Sequence, residues 1–214
     1  MQPADRRAHW DGRYHAAGAE SVSWYEAEPR VSLELVEHVG VGPSTPVIDV
    51  GGGASALADT LVARGLVDVT VLDVSVAAIE LARQRSARPD RITWIRADLL
   101  DWSPPRRWEL WHDRAVFHFL TDEADRAAYR SVLHRALAPG GVVVVGTFAE
   151  DGPTSCSGLP VERYGATGLL DGLGPGLEPI ITRRSEHVTP SGAVQPFTWV
   201  VARARPDPPP GTDR

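Results

Sequence analysis

A glycine-rich turn between an apolar strand and a helix constrains this chain more than any other stretch. Residues 46–50 form a strand-like apolar run that carries Asp49 near its end, and Gly51, Gly52 and Gly53 follow directly. A strand that turns at once into a helix needs positive φ angles, which glycine adopts without a Cβ clash. The bare turn also lets a ligand approach the positive N-terminal end of the helix. The stretch therefore predicts a seat for a nucleotide-like cofactor.

The composition of the 214 residues is that of one globular domain. A hydrophobic content of 43% and a charged content of 23% are ordinary values, and the net charge of -6 argues against a nucleic-acid backbone as the partner. No apolar run approaches the roughly 20 residues that span a bilayer, and the polar residues 1–10 do not resemble a secretory signal. We therefore expect a cytoplasmic protein with neither a nucleic-acid nor a membrane partner. The sequence leaves its oligomeric state open.

Cysteine and lysine usage narrows the possible chemistry. Cys156 is the single cysteine, which excludes an intrachain disulfide and a cysteine-cluster metal site, and we expect no metal. All 22 basic residues are arginine. The chain therefore has neither the lysine of a phosphate-binding loop nor the Tyr-x-x-x-Lys pair of short-chain dehydrogenases.

Strand and helix patterns alternate five times, which predicts a doubly wound α/β fold with helices on both faces of a sheet. Residues 1–40 are expected to form a helical lid or cap. Two strand-like runs near 179–187 and 194–204 are joined by a short turn and must pair antiparallel. The prediction is a Rossmann-like, seven-stranded, mostly parallel sheet that ends in this antiparallel hairpin. It forms a single domain over residues 1–205, with a disordered, proline-rich tail at 206–214.

Aspartates close the first four predicted strands, at Asp49, Asp73, Asp98 and Asp113. In open α/β sheets, ligands bind at the carboxyl ends of the strands. The glycine turn also satisfies the dinucleotide fingerprint Gly-x-Gly-x-x-Ala over residues 51–56. However, a carboxylate two residues before the first glycine would repel a pyrophosphate, whereas it can pair with an ammonium group. An NAD(P)-dependent oxidoreductase is therefore the alternative that fits less well.

Residues 49–55, Asp-Val-Gly-Gly-Gly-Ala-Ser, resemble the first motif of class I S-adenosylmethionine-dependent methyltransferases. Together with the acids that close the second and third strands and the terminal hairpin, the likeness covers residues 28–204. The resemblance implies S-adenosylmethionine as methyl donor, S-adenosylhomocysteine as product, and methyl transfer by in-line displacement. Ser55 stands where the family has a third glycine, which would slightly loosen contact with the donor.

The resemblance also assigns parts of the donor to positions in this chain. Asp49 and the glycine backbone would face the methionine ammonium and carboxylate, and Asp73 would accept both ribose hydroxyls. Asp98 would accept from the adenine amine. The cofactor-binding residues implied in this way are Asp49, Gly51, Gly52, Gly53, Asp73, Val74, Ser75, Asp98, Leu99 and Asp113.

The acceptor side is expected after the fourth and fifth strands and in the N-terminal lid. Asp113 is predicted to hold an ammonium substrate or orient a neighbour, and His118 to act as a general base, since imidazole titrates near neutral pH. The alternative for His118 is packing beside Phe117 and Phe119. The predicted substrate and lid residues are Tyr14, Trp24, Tyr25, Arg114, Cys156 and Tyr164.

Three alternatives stay open for the acceptor side. Arg114 can bind a carboxylate or pair with Asp113, Cys156 can contact substrate or pack as a small apolar side chain, and the N-terminal aromatics can cover a cationic donor or cap the sheet.

A looser resemblance connects residues 24–29, 113–120 and 151–159 with the subfamily of the citrate synthase lysine methyltransferase. The predicted acceptor is a small molecule that bears a carboxylate or an amine. A protein lysine is one alternative, and a pseudoenzyme that binds S-adenosylmethionine without transferring its methyl group is another.

Overall fold

One seven-stranded sheet runs through the computed structural model, which describes residues 3–206 and, for residue 3, the backbone alone. Its first five strands are β1 (Val47–Val50), β2 (Val69–Asp73), β3 (Ile92–Arg96), β4 (Trp108–Arg114) and β5 (Leu137–Phe148). A separate two-stranded sheet follows in the chain, formed by β6 (Ser155–Cys156) and β7 (Leu159–Pro160). The last two strands of the large sheet are β8 (Leu177–Val188) and β9 (Val194–Ala204). The order across the sheet is β3-β2-β1-β4-β5-β9-β8. Strands β1 to β5 run parallel, whereas β9 is antiparallel to both β5 and β8. The predicted fold class is confirmed.

Six α-helices occur in the described residues: α1 (Pro3–Ala17), α2 (Arg30–His38), α3 (Leu57–Ala63), α4 (Val76–Arg85), α5 (Glu123–Ala136) and α6 (Ala166–Leu173). Helices α5 and α6 contribute to one core cluster with one face of the sheet, and α2 and α3 contribute to a second cluster with the other face. Helix α1 packs mainly against α4. No helix in the described part of the chain is both long and apolar enough to cross a membrane.

The two faces of the sheet follow from the alternation of side chains along each strand. On β4, Trp111 belongs to the cluster that contains α5, whereas Leu110 belongs to the cluster with α2 and α3. On β1, Ile48 and Val47 divide in the same way. Every second residue of β1 and β4 therefore shares a face, and this parity decides which polar side chains can meet at the strand ends.

Two boundaries after α4 differ from the sequence prediction. The strand β5 begins at Leu137, because Leu137 pairs with Trp108 ahead of a register shift in β4. The Pro139-Gly140-Gly141 sequence instead predicts that a helix ends at 138 and a strand begins at 142. The short β6–β7 pair lies in the stretch after β5, whose glycine, proline and serine residues predict a polar loop. The predicted tail at 206–214 falls outside the described residues from 207 onwards, and the single domain over 1–205 stays a prediction.

Gly146 on β5 tests how tightly the sheet packs. A Cβ at this position would lie 2.7 Å from ring atoms of Trp199, which is 2% exposed on β9. We expect Gly146→Ala to lower the free energy of unfolding by about 1–3 kcal/mol, because the ring has to shift within a filled core. Denaturant unfolding measures this loss.

Gly168→Ala is the matched control, because Gly168 lies inside α6 and its added Cβ would meet only Tyr164 Cδ1, at 3.9 Å. Alanine there should leave stability unchanged or raise it by about 0.5–1 kcal/mol. Equal effects of the two substitutions would contradict the packing of Trp199 against Gly146.

Candidate functional site

The turn after β1 accepts only glycine at its tightest positions. Gly51 and Gly53 have positive φ angles of 63° and 48°. A Cβ on Gly51 would lie 2.0 Å from Val116 Cγ2, and one on Gly53 would lie 2.8 Å from the Tyr14 hydroxyl. The absence of side chains therefore lets the segment after β4 and α1 lie close to the turn. The turn itself presents only backbone atoms to its neighbours.

Asp73, at the end of β2, faces this turn from the neighbouring strand. Its side chain is buried, Ser75 N–H donates to its Oδ1 at 2.7 Å, and its Oδ2 would lie 3.0 Å from a Cβ on Gly53. Burial raises the pKa of Asp73 to about 7, and the nearby charges of Asp49 and Asp11 raise it further, while donated backbone N–H groups oppose the rise. Burial deprives the ionised carboxylate of water, and a ligand that donates hydrogen bonds to Asp73 would stabilise that ionised form.

Asp98, after β3, is the third strand-end acid of the site. Its Oδ1 accepts from Leu100 N–H at 3.1 Å, and its Oδ2 accepts from Arg6 Nε on α1 at 2.7 Å. The first of these bonds caps a short 3₁₀ turn at Leu99–Asp101. Helix α1 therefore reaches across to the far end of the site.

Two clefts open at the carboxyl ends of the strands. The larger, with a cavity volume of about 140 Å³, contains Asp73, Val74, Asp98 and Leu99 and is mainly apolar. The smaller, with a cavity volume of about 40 Å³, contains Asp49 and Gly52. Both clefts are lined by Tyr14, Trp24, Gly51 and Arg114. The glycine turn and α1 therefore stand between two adjoining spaces. Seven of the ten predicted cofactor residues line one or both of them, whereas Gly53, Ser75 and Asp113 line neither.

Ser75, one of the predicted cofactor residues, has a structural part. Its hydroxyl accepts from Ala78 N–H at 3.1 Å as the N-cap of α4 and donates to Asp11 Oδ1 of α1 at 2.8 Å. Ala77 N–H also donates to Asp11, at 3.0 Å. Ser75 therefore anchors α1 over the site and lines neither cleft.

Aromatic side chains cover part of both clefts. Trp10 makes edge contacts with Trp24 and Phe119, at centroid distances of 5.7 and 5.0 Å, and Trp24 Nε1–H donates to the Tyr14 hydroxyl at 3.2 Å. Tyr25 lines the smaller cleft. The N-terminal aromatics predicted as lid residues thus surround the place where the two clefts meet, and they offer π faces to a cation.

Asp113 lies on the opposite face of the sheet from Asp49. It is in register with Val50, is fully buried, and lines neither cleft. Its carboxylate accepts from Val116 N–H at 2.8 Å and from the Tyr129 hydroxyl at 2.7 Å. Burial raises the pKa of Asp113 to about 6 despite these donors. The geometry gives it a structural part, tying the turn after β4 to α5.

His118 packs in the interior, as the alternative from the sequence anticipated. Its ring contacts Phe119 and Phe148 at centroid distances of 4.5 and 4.7 Å, and its Nδ1 accepts from Phe148 N–H at 3.4 Å. Burial, aided by the Arg114 charge, lowers the pKa of His118 to about 3. The ring is therefore neutral at physiological pH and has no access to either cleft, so the geometry gives no support to a general-base role.

Arg114 occupies the junction of the clefts. Its Nη1 donates to the Trp24 carbonyl at 2.8 Å, and its Nη2 lies 3.1 Å from Glu26 Oε1. Glu26 also faces His187 Nδ1 at 3.3 Å. Burial lowers the pKa of Arg114, while the charges of Glu26 and Asp49 oppose that shift. Its ion-pair partner is Glu26 rather than the neighbouring Asp113.

Cys156 and Tyr164, both predicted on the acceptor side, are placed differently. Cys156, on the short strand β6, lines the larger cleft beside Phe119, and burial raises the pKa of its thiol. Tyr164 packs on Phe117 at 5.5 Å within the core, away from both clefts. The loop after β5 thus contributes Cys156 but not Tyr164 to the site.

His112 is a site residue that the sequence prediction did not single out. It is in register with Asp49, its Nδ1 lies 2.7 Å from Asp49 Oδ1, and its Nε2 lies 2.9 Å from Ser32 Oγ of α2. The signal was the alternation in β4: a residue one place before Asp113 faces the other side of the sheet. No group of three or more metal-ligating side chains occurs among the residues that the structure describes.

Comparison with sequence families and relatives agrees with this geometry. Residues 47–141 match the family model of a methyltransferase domain. A protein named Nodulation protein S from Rhizobium tropici is 33% identical over 113 residues, which are 53% of this chain and 47% of that protein. A protein of the same name from Sinorhizobium fredii (strain NBRC 101917 / NGR234) is 35% identical over 123 residues, 56% of this chain and 55% of that protein. These matches span about half the length of each relative.

Solved structures share the fold over nearly the whole chain. The N-methyltransferase NodS from Bradyrhizobium japonicum WM9, in complex with S-adenosylhomocysteine, has a TM-score of 0.70 at 23% identity, covering 91% of this chain and 97% of that one. The 1,6-didemethyltoxoflavin-N1-methyltransferase of Burkholderia thailandensis has a TM-score of 0.72 at 19% identity, covering 96% and 91%. At these identities the likeness shows the fold. Together with the domain match, it confirms the class I methyltransferase resemblance; the looser lysine methyltransferase resemblance stays a prediction.

Asp73→Asn tests the electrostatic state of the site without any ligand. The pKa of Asp73 is about 7 in the folded protein, above the ordinary 3.8, so its ionisation opposes folding increasingly as pH rises between these values. We expect Asp73→Asn to be more stable than the native chain at pH 8 by about 1–3 kcal/mol, with the difference shrinking towards pH 4.5. Thermal unfolding at several pH values measures this.

Asp90→Asn, at an exposed position, is the matched control and should show no such trend. A native chain that is more stable than Asp73→Asn at pH 8 would contradict the raised pKa of Asp73.

Proposed function

We propose that this chain transfers a methyl group from S-adenosylmethionine to a small-molecule acceptor by in-line displacement. The proposal rests on the arrangement of three acids at the strand ends, Asp49, Asp73 and Asp98, around the glycine turn. The turn has no room for side chains, so it presents its backbone to the clefts. An acidic, mainly apolar site of this shape suits a nucleoside that bears an ammonium group, and it disfavours a pyrophosphate.

The residues present fit the donor. Asp73 has a buried carboxylate oxygen facing the turn, suited to ribose hydroxyls, and Asp98 with the neighbouring Leu99 suits an adenine edge at the far end of the larger cleft. Asp49 in the smaller cleft suits an ammonium group. When bound, S-adenosylmethionine supplies an electrophilic methyl group on a sulfonium.

The contribution of the chain is alignment and exclusion of water. The aromatic roof of Trp10, Trp24 and Phe119 covers the place where the clefts meet, and α1 is held there by Asp11 and Ser75. An aromatic roof of this kind also favours a positively charged sulfonium.

The acceptor would enter the part of the larger cleft bounded by Trp24, Phe119 and Cys156, with Arg114 at its edge. Asp113 and His118, the predicted catalytic residues, lie outside both clefts, and the pKa of His118 is lowered to about 3. A nucleophile that needs no protein base therefore fits best, and a neutral amine nitrogen is one. Two of the solved structures with this fold are named N-methyltransferases, which supports the same choice.

We also propose that the protein acts in the cytoplasm, as predicted from its sequence. The following experiments distinguish the proposed function from three alternatives: a protein lysine as acceptor, an S-adenosylmethionine-binding pseudoenzyme, and an NAD(P)-dependent oxidoreductase.

Isothermal titration calorimetry with S-adenosylhomocysteine and with NADH tests the donor. We expect S-adenosylhomocysteine to bind and NADH not to bind. Asp73→Ala should weaken S-adenosylhomocysteine binding by about 1–3 kcal/mol, because charge-assisted hydrogen bonds to the ribose are lost. The exposed Asp90→Ala is the control and should bind like the native chain. Binding of NADH alone would overturn the proposal.

Incubation with methyl-labelled S-adenosylmethionine and a desalted lysate, to which a fraction of small amines and carboxylates is returned, tests the acceptor. We expect label to enter small molecules and not protein bands, because aromatic side chains bound the acceptor end of the larger cleft. Label in protein bands would favour the lysine alternative. Binding of S-adenosylhomocysteine with no label transferred to any fraction would favour the pseudoenzyme.

A further inference from the structure

A chain of three buried polar side chains runs through the smaller cleft. His112 on β4 lies 2.7 Å from Asp49 on β1 and 2.9 Å from Ser32 on α2. All three residues are at most 2% exposed, and all three line the cleft. These hydrogen bonds therefore connect the acid of the glycine turn to α2.

The chemistry of the three groups sets the direction of the hydrogen bonds. An ionised carboxylate can only accept, so His112 Nδ1–H donates to Asp49 Oδ1. In a neutral imidazole the other nitrogen is then an acceptor, and the Ser32 hydroxyl donates to it. Asp49 therefore sets the His112 tautomer, and the hydrogen bond from Ser32 holds the ring in that orientation.

The second oxygen of Asp49 points the other way. A Cβ on Gly52 would lie 2.5 Å from Asp49 Oδ2, so this oxygen lies against the bare turn. One oxygen of Asp49 is held by His112, and the other faces the space that the missing side chain leaves. The orientation of Asp49 therefore depends on His112.

The surroundings of this cleft suit a group that carries both charges. Besides Asp49, the cleft contains the carboxylate of Glu26 and the guanidinium of Arg114. A free amino acid group carries an ammonium and a carboxylate, so it can satisfy acids and a guanidinium together. The larger cleft has the acids assigned to the nucleoside.

We infer that His112, fixed by Ser32, is a positioning residue that orients Asp49 towards the ammonium of the donor's amino acid end. This inference rests on the proposed function, because it assumes that the clefts take such a donor. It assigns His112 no contact with the reacting atoms. Its consequence is selective: loss of His112 should weaken ligands that have the amino acid group and spare those that lack it.

Two ligands separate these cases: S-adenosylhomocysteine, and 5′-methylthioadenosine, which keeps the nucleoside and the thioether but lacks the amino acid group. We expect His112→Leu to weaken S-adenosylhomocysteine binding by about 10–100-fold, the range typical of residues that orient a binding group. Binding of 5′-methylthioadenosine should change by about twofold or less, because the nucleoside acids are independent of His112. Calorimetry with both ligands measures the two ratios.

Two further variants keep the test valid if His112→Leu folds poorly. His112→Asn retains an N–H donor close to the Nδ1 position and should recover most of the S-adenosylhomocysteine affinity. Ser32→Ala removes the second hydrogen bond that holds the His112 ring and should weaken S-adenosylhomocysteine binding, again without affecting 5′-methylthioadenosine binding. Thermal unfolding of each variant verifies that it is folded.

Equal losses for both ligands, or no loss for either, in folded His112 and Ser32 variants would overturn the inference while leaving the proposed function intact. A native chain that bound neither ligand would overturn the proposed function and the inference together.

Discussion

The burial of carboxylates beside a glycine turn is the constraint on which the rest of this site depends. Asp49 and Asp73 end neighbouring strands, both nearly without exposure to water, and the charge of Asp49 helps to raise the pKa of Asp73 to about 7. Burying two like charges close together costs free energy unless something pairs with them. Asp49 pairs with His112, whereas the hydrogen-bond donors to Asp73 among the described residues are backbone N–H groups. The site is therefore arranged to gain from a ligand that brings hydroxyl and ammonium donors.

The N-terminal helix is part of the same electrostatic arrangement. Arg6 of α1 binds Asp98, and Asp11 of the same helix binds the N-cap residue of α4. The helix thus places a cation on one strand-end acid and an anion near another, since Asp11 adds to the rise in the pKa of Asp73. Anything that binds Asp98 has to share that carboxylate with Arg6, so the position of α1 and occupation of the larger cleft are coupled.

Much of this was predictable because it depends on local pattern. The strand-end acids, the glycine turn and the terminal hairpin follow from apolar runs, turn residues and connection lengths. The structure has the turn and the hairpin where the sequence placed them, and Asp98 lies two residues beyond the end of β3. The acceptor side was less predictable because it depends on which face of a strand a residue occupies. Asp113 and His112 are neighbours in sequence, yet only His112 faces the clefts. Long-range contacts such as Arg6 with Asp98, 92 residues apart, leave no local signal at all.

A crystal structure of the chain with S-adenosylhomocysteine bound is the most direct test of the central claim, that the two clefts form one donor site divided by the glycine turn. We expect the ribose hydroxyls within hydrogen-bond distance of Asp73, the adenine amine near Asp98, and the amino acid end in the smaller cleft beside Asp49. A ligand bound with its ribose away from Asp73, or with its amino acid end outside the smaller cleft, would contradict it.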